Sequence, residues 1–150
     1  MKIMFICTGN ICRSAMADAF CRKKAPELEI FSCGTDADTG WKCPENTIEA
    51  MEEYDIDMRK HRATNIMESN IKSMDLILCA TMNHKRRVIS IFPELSDKTY
   101  TMKEYARLDN NGKDMNIDDP WGYDLFTYRK CATEIDKVTN KIIERIRKVS

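Results

Sequence analysis

Cys7 stands at the end of a short apolar run and is followed by Thr8-Gly9-Asn10-Ile11-Cys12-Arg13-Ser14, so a thiol precedes an arginine by six positions, with turn-forming residues between them. Each of these types has a use in oxyanion chemistry. Gly9 and Asn10 tolerate positive φ, which lets the chain curl until successive backbone N–H groups point inward and form a nest for an anion. Arg13 supplies a planar fork suited to two oxygens of a phosphate. Ser14 stands where a helix should begin, both as an N-cap and as a hydroxyl donor to the Cys7 sulfur. The helix dipole would add to a field that favours the thiolate form of Cys7. A nucleophile and an anion site are therefore expected at one place. No Gly-Lys-Ser/Thr ending marks a nucleotide P-loop, and no Cys-x-x-Cys marks a thioredoxin-type dithiol.

The elements that must hold this loop follow from the hydrophobic pattern. Lys2–Cys7, Glu29–Cys33 and Asp75–Ala80 are short apolar runs that predict buried strands, and Lys98–Thr101 is a weaker fourth. Helices are expected after Ser14, over Glu45–Tyr54 behind Pro44, after Asn83 as a cap, and over Asp124–Val149. The spacing of Ile135, Val138, Ile142, Ile146 and Val149 places one buried stripe on that last helix. Leu108–Tyr123 holds Asn-Asn-Gly and Asp-Asp-Pro and is expected to be a functional loop. Strands alternating with helices predict an α/β fold over residues 1–150. It is a single three-layer domain with a central four-stranded parallel sheet flanked by helices, its phosphate-binding loop after the first strand. Any site should lie at the carboxyl ends of the strands.

Composition narrows the partners. The 150 residues carry 24 Lys plus Arg against 24 Asp plus Glu, which gives no net charge to attract nucleic acid or a membrane surface. No apolar run reaches the roughly 20 residues that span a bilayer, and no signal-peptide pattern opens the chain. Seven cysteines, an odd number, fit free thiols in a reducing cytoplasm better than a disulfide framework. Cys21, Cys33, Cys43, Cys79 and Cys131 are scattered and are expected to pack as small hydrophobes. Zinc at Cys7 and Cys12 is disfavoured because no second close pair or His partner accompanies them.

The segment Cys7–Ser14 with Ala15-Met16-Ala17 resembles the Cys-x5-Arg-Ser/Thr signature of the low-molecular-weight protein tyrosine phosphatases. Ser32 in Phe31-Ser32-Cys33-Gly34-Thr35, His61-Arg62-Ala63, the strand Asp75–Cys79 with Asn83 beyond it, and Asp119-Pro120-Trp121 follow in the family's order. The resemblance implies hydrolysis of phosphate monoesters through a phosphocysteine at Cys7, without metal or cofactor. Arg13 would grip the phosphoryl group and Asp119 would act as general acid. Pro120 restricts the backbone of Asp119 and so aims it, a constraint Asp118 lacks. Trp41 and Trp121 would wall an aromatic substrate, with Tyr123 a weaker third. Asn10, Ser32 and His61 would brace the loop, and Cys12 would trap an oxidised Cys7 as a disulfide. The implied partner is a phosphotyrosine-containing protein or a small aryl phosphate, with inorganic phosphate or other oxyanions as inhibitors.

One family feature is absent: an acidic residue is expected after Met82, where Asn83 stands. His84-Lys85-Arg86-Arg87 is expected to be a solvated cationic helix face. Two other activities use this scaffold. Thiol-coupled arsenate reduction needs two further close cysteines beyond the third strand, where only Cys79 lies. Phosphoarginine hydrolysis is associated with a small hydroxyl residue where this chain has Ile11, and Ile11 favours the aryl ester. A module that binds phosphotyrosine without turnover would leave the thiol, arginine and acid without a use.

Overall fold

In the computed structural model, which describes residues 1–107 and 114–149, four parallel strands form one sheet: β1 (Lys2–Cys7), β2 (Glu29–Gly34), β3 (Leu76–Cys79) and β4 (Thr99–Thr101), in the order β2-β1-β3-β4. Among the described residues five α-helices flank them: α1 (Arg13–Lys24), α2 (Glu45–Glu52), α3 (Met82–Ile91), α4 (Met102–Ala106) and α5 (Leu125–Val149). The four strands fall where the apolar runs place them. Side-chain alternation splits β1, β2 and β3 between two cores. Ile3, Phe5 and Cys7 face a cluster with α1, α2 and α5, whereas Met4, Ile6, Ile77 and Cys79 face Val88 and Phe92 of the α3 side. Among the described residues no helix is long and apolar enough to cross a membrane.

The order has one reversal, because the chain leaves β1 for β2 on one side and returns to β3 on the other. Open parallel sheets bind ligands at the carboxyl ends of the strands flanking such a switch. Here those ends are Cys7 of β1 and Cys79 of β3, which continues into Ala80, whose N–H donates to Ile6 O at 2.8 Å.

Several local expectations change. Cys12, not Ser14, is the N-cap of α1, and its side chain makes no capping bond. Ser14 is drawn into the first turn because its hydroxyl is engaged by Cys7 and Asn10. Thr81, not Asn83, caps α3, accepting the His84 N–H at 3.2 Å, so that helix starts at Met82. Of the α5 stripe, Ile135, Val138, Ile142 and Ile146 are buried, joined by Ile143, while Val149 lies exposed past the end of the core. The short α4 has no counterpart among the expected helices. Thr101 and Glu104 start it with a reciprocal capping box. Of the long loop, Asn-Asn-Gly at 110–112 lies outside the described residues.

The loop after β1 lies directly on the end of β2. Thr35 N donates to Cys7 O and Asp36 N to Thr8 O, each at 3.0 Å. At Gly34, a Cβ would stand 2.4 Å from Thr8 O and 2.9 Å from Asn10 N, both backbone atoms with no room to retreat. Gly34 is thus required by close approach of two backbones. Replacing it with Ala should cost roughly 1–3 kcal/mol, lowering the melting temperature by about 3–10 °C. An unchanged melting temperature for Gly34→Ala would contradict this contact.

Candidate active site

Cys7 is 2 % exposed, and its Sγ receives the backbone N–H of Asn10 at 3.3 Å and lies 3.0 Å from Ser14 Oγ. The direction of the second contact is set by its neighbour. Asn10 Nδ2 donates to Ser14 Oγ at 2.8 Å, which leaves the hydroxyl hydrogen for the sulfur; the alternative acceptor, Cys33 O, is at 3.5 Å. Asn10 is the only residue of the loop with positive φ, at 58°; Gly9 does not use that freedom. The brace expected around Asn10 is present in part. His61 Nε2 donates to Asn10 O at 2.7 Å, and Asn10 Oδ1 accepts the Thr64 N–H at 2.9 Å.

Ser32 is not in that brace. Its hydroxyl donates to Asp18 Oδ2 at 2.8 Å. Ser32 pairs in register with Phe5, two residues before Cys7, and shares the α1 face of the sheet, so it meets the second turn of that helix rather than the loop. There it helps satisfy a buried carboxylate that also pairs with Arg22.

Arg13 is 4 % exposed and is held from several sides. Nη1 donates to Ile117 O at 2.8 Å, and Nη2 donates to Thr8 Oγ1 at 3.4 Å and stands 3.5 Å from Asp119 Oδ2. Its Nε is buried without a hydrogen-bond partner, the one such side-chain atom among the described residues. A buried donor left in that state costs roughly 1–3 kcal/mol, more on a charged group, and an oxyanion beside it would remove the cost. The N-terminus of α1, which no side chain caps, adds further N–H groups and a favourable dipole.

The loop that carries Asp119 is tied to the sheet and to α3. Ile117 N donates to Ala80 O at 2.9 Å, and Asn116 Oδ1 accepts the Met82 N–H at 2.9 Å. Asp119 Oδ1 accepts the Trp121 N–H at 3.0 Å in an Asx turn, leaving Oδ2 for Arg13. Asp118 is exposed and does not line the cavity that Asp119 lines. That cavity, about 170 Å³, has Cys7, Thr8, Gly9, Ile11, Cys12 and Arg13 as its base. Trp41, Trp121 and Asp119 rise around it together with Asp36 and Asp38, two carboxylates not anticipated from the sequence. Trp41 and Trp121 are each 55 % exposed, available to a ligand rather than packed away. Tyr123, also exposed, does not line the cavity.

Cys12 shares the cavity, its Sγ within 3.7 Å of Thr47 Oγ1 and 3.9 Å of Tyr128 Oη. Burial pushes its thiol up to about 11, so it is protonated at neutral pH and is not itself a ready nucleophile. All seven cysteines are buried free thiols. Cys79 is fully buried, and burial pushes its thiol far up, with Cys33 adding to the rise. Among the described residues no group of three His, Cys, Asp or Glu is placed to hold a metal.

His84 overturns the expectation of a solvated cationic face. It is 7 % exposed, and its Nε2 and Nδ1 each lie 2.8 Å from a threonine hydroxyl, those of Thr8 and Thr81. The local signal was the capping spacing Thr81-x-x-His84, with the Thr81 hydroxyl meeting both the His84 N–H and its ring. Arg86 and Arg87 do remain on the surface.

A family model for low molecular weight phosphotyrosine protein phosphatases matches residues 2–150. The chain belongs to this phosphatase family. A protein-arginine-phosphatase of Geobacillus stearothermophilus is 32% identical over 146 residues, covering 97% of this chain and 95% of that one. The crystal structure of a low molecular weight protein tyrosine phosphatase from T. tengcongensis superposes with a TM-score of 0.87 at 36% identity, covering 96% and 98% of the two chains. A cysteine-to-serine mutant of the YwlE arginine phosphatase, with a phosphorylated active site serine, superposes with a TM-score of 0.90 at 30% identity, covering 99% and 97%. Among the described residues one cavity brings a thiol, a buried guanidinium and a carboxylate together.

The neutral ring of His84 is a departure that can be measured. Burial, with Arg13 nearby, pushes its imidazole down from 6.5 to about 4. A folded-state value below the unfolded one gives stability that is fully present above about pH 6.5 and lost as pH falls toward 4. The stability difference between wild type and His84→Gln in urea titrations should therefore shrink on acidification through that window. A difference that is constant with pH would contradict the buried neutral ring.

Proposed function

We propose that this chain, residues 1–150 acting as one domain, is a protein tyrosine phosphatase that works through a phosphocysteine intermediate. One observation carries the reading: Cys7 Sγ lies between the Asn10 N–H and the Ser14 hydroxyl, in a cavity where the Arg13 Nε is buried without a partner. In the first step the Cys7 thiolate attacks phosphorus and the bond from phosphorus to the leaving oxygen breaks. Asp119 gives its proton to that oxygen. The Arg13 fork and the loop amides carry the phosphoryl oxygens throughout. In the second step water attacks phosphorus, Asp119 takes up the proton, and the bond from sulfur to phosphorus breaks to release phosphate. No step is assigned to a metal or cofactor.

Trp41 and Trp121 suit an aryl group standing out of the base, and the apolar Ile11 beneath them suits the same substrate. The partner is then a phosphotyrosine-containing protein or a small aryl phosphate, met in the cytoplasm, with phosphate and other oxyanions as inhibitors. The relatives named as arginine phosphatases support a second reading, in which Asp36 and Asp38 at the rim face the guanidinium of a phosphoarginine.

A panel of phosphotyrosine, phosphoarginine and phosphoserine peptides, run beside p-nitrophenyl phosphate, separates the two. The aryl esters should be turned over fastest, and a clear preference for phosphoarginine would replace the first reading with the second. Cys7→Ser should abolish turnover, and Asp119→Asn should slow it on the order of 10²–10⁴-fold with a phenyl ester, far more than Asp118→Asn. The reverse order of the two aspartates would reassign the acid.

A further inference from the structure

The step from the anion loop to the start of α3 runs through one side chain that the chemistry above does not use. His84 Nε2 lies 2.8 Å from Thr8 Oγ1, and its Nδ1 lies 2.8 Å from Thr81 Oγ1. Thr81 Oγ1 also accepts the His84 backbone N–H, so the cap of α3 and the ring are fixed to the same hydroxyl. On the other side, Thr8 Oγ1 accepts an N–H from Arg13 Nη2, the nitrogen that faces Asp119. A buried ring bonded at both nitrogens has a single orientation, and it hands that orientation to the hydroxyl it touches.

We propose that His84 is a positioning residue of the phosphatase site: through the Thr8 hydroxyl it holds the Arg13 guanidinium where that group meets the phosphoryl oxygens. The inference rests on the anion-site reading of Cys7 and Arg13 given above. An imidazole suits this place better than a lysine or arginine, whose fixed charge would sit one hydroxyl away from Arg13 and compete for the same anion. Arg13, Asp119 and Asp36 are the charged groups whose fields reach the ring, and burial outweighs the two carboxylates in keeping it neutral. Thr8 and Arg13 border a second cleft with His84 and Thr81, so the coupling runs along the wall between that cleft and the active-site cavity. A bidentate grip depends on angle as well as distance, and releasing the Thr8 hydroxyl should loosen it.

The test is a double-mutant cycle in the full chain, pairing His84→Ala with Thr8→Val. Two quantities are read: the affinity for inorganic phosphate, and kcat and KM for p-nitrophenyl phosphate. With Thr8 present, His84→Ala should weaken phosphate binding and lower kcat/KM by roughly three- to tenfold, the loss of one hydrogen bond in the chain. In the Thr8→Val background it should change either quantity by less than about twofold, because the link is already cut. Thr8→Ser keeps the hydroxyl and should keep the His84 penalty, and His84→Gln, with a donor and an acceptor, should recover much of it. If His84→Ala does not fold, His84→Phe fills the site without ring nitrogens and takes its place. Equal penalties with Thr8 present and in the Thr8→Val background, or no penalty in either, would overturn the proposal. Because phosphate binding is read without turnover, the coupling is measured whether or not the wild type hydrolyses an ester.

Discussion

A buried guanidinium with one N–H left over is the constraint around which this site is arranged. Arg13 is almost fully removed from water, and the protein satisfies it with the Ile117 carbonyl, the Thr8 hydroxyl and the half-exposed Asp119 carboxylate, yet not at Nε. Burying a charge with incomplete pairing is costly, so an unfilled donor here points to a ligand that fills it. An oxyanion held between this fork, the α1 N-terminus and the loop amides completes the set. The Cys7 sulfur is met by donors of the same loop, the Asn10 N–H and the Ser14 hydroxyl. Donors fixed before the reaction need no reorganisation during it.

The scaffold meets that constraint with few residues. The switch between β1 and β3 opens a crevice at the carboxyl end of β1. Asn10 turns the loop through a left-handed conformation, and its side chain bonds both Ser14 and the Thr64 backbone, so the residue that bends the chain also locks it. Gly34 removes the side chain that would keep the loop from the end of β2. The backbone of Ile117 joins Arg13 to Ala80, which ties the loop that carries Asp119 to the end of β3. Asp119 then needs only its own Asx turn to face the cavity.

How much of this was legible follows from the range of the interactions involved. The strands and the Cys7 loop are local patterns, apolar runs and a spacing of turn formers, and they stand where the sequence places them. Asp119 was separable from Asp118 because Pro120 acts on its immediate neighbour. Ser32 was misplaced because the brace it was assigned depends on which strand face points at which helix, and register puts it opposite Phe5 and beside Asp18. His84 was misread because three cations follow it. Its N–H is capped by Thr81 and both ring nitrogens meet threonine hydroxyls, so the ring is buried although Arg86 and Arg87 beyond it are exposed. Cap positions failed at Ser14 and Asn83 for a related reason: the candidate side chains had stronger partners elsewhere, Cys7 and Asn10 for the first and Arg86 for the second. Asp36 and Asp38 carried no signal at all, since nothing local distinguishes a rim carboxylate from a solvated one.

The central claim is that the sulfur of Cys7 takes the phosphoryl group inside this cradle. The most direct measurement is rapid acid quenching of Asp119→Asn during turnover of p-nitrophenyl phosphate, followed by peptide mass analysis. The account predicts a phosphate mass added on the peptide that carries Cys7, and no phosphocysteine when the same experiment is run on Cys7→Ser. Phosphate transfer to another residue, or burst-free turnover with Cys7 never modified, would contradict it.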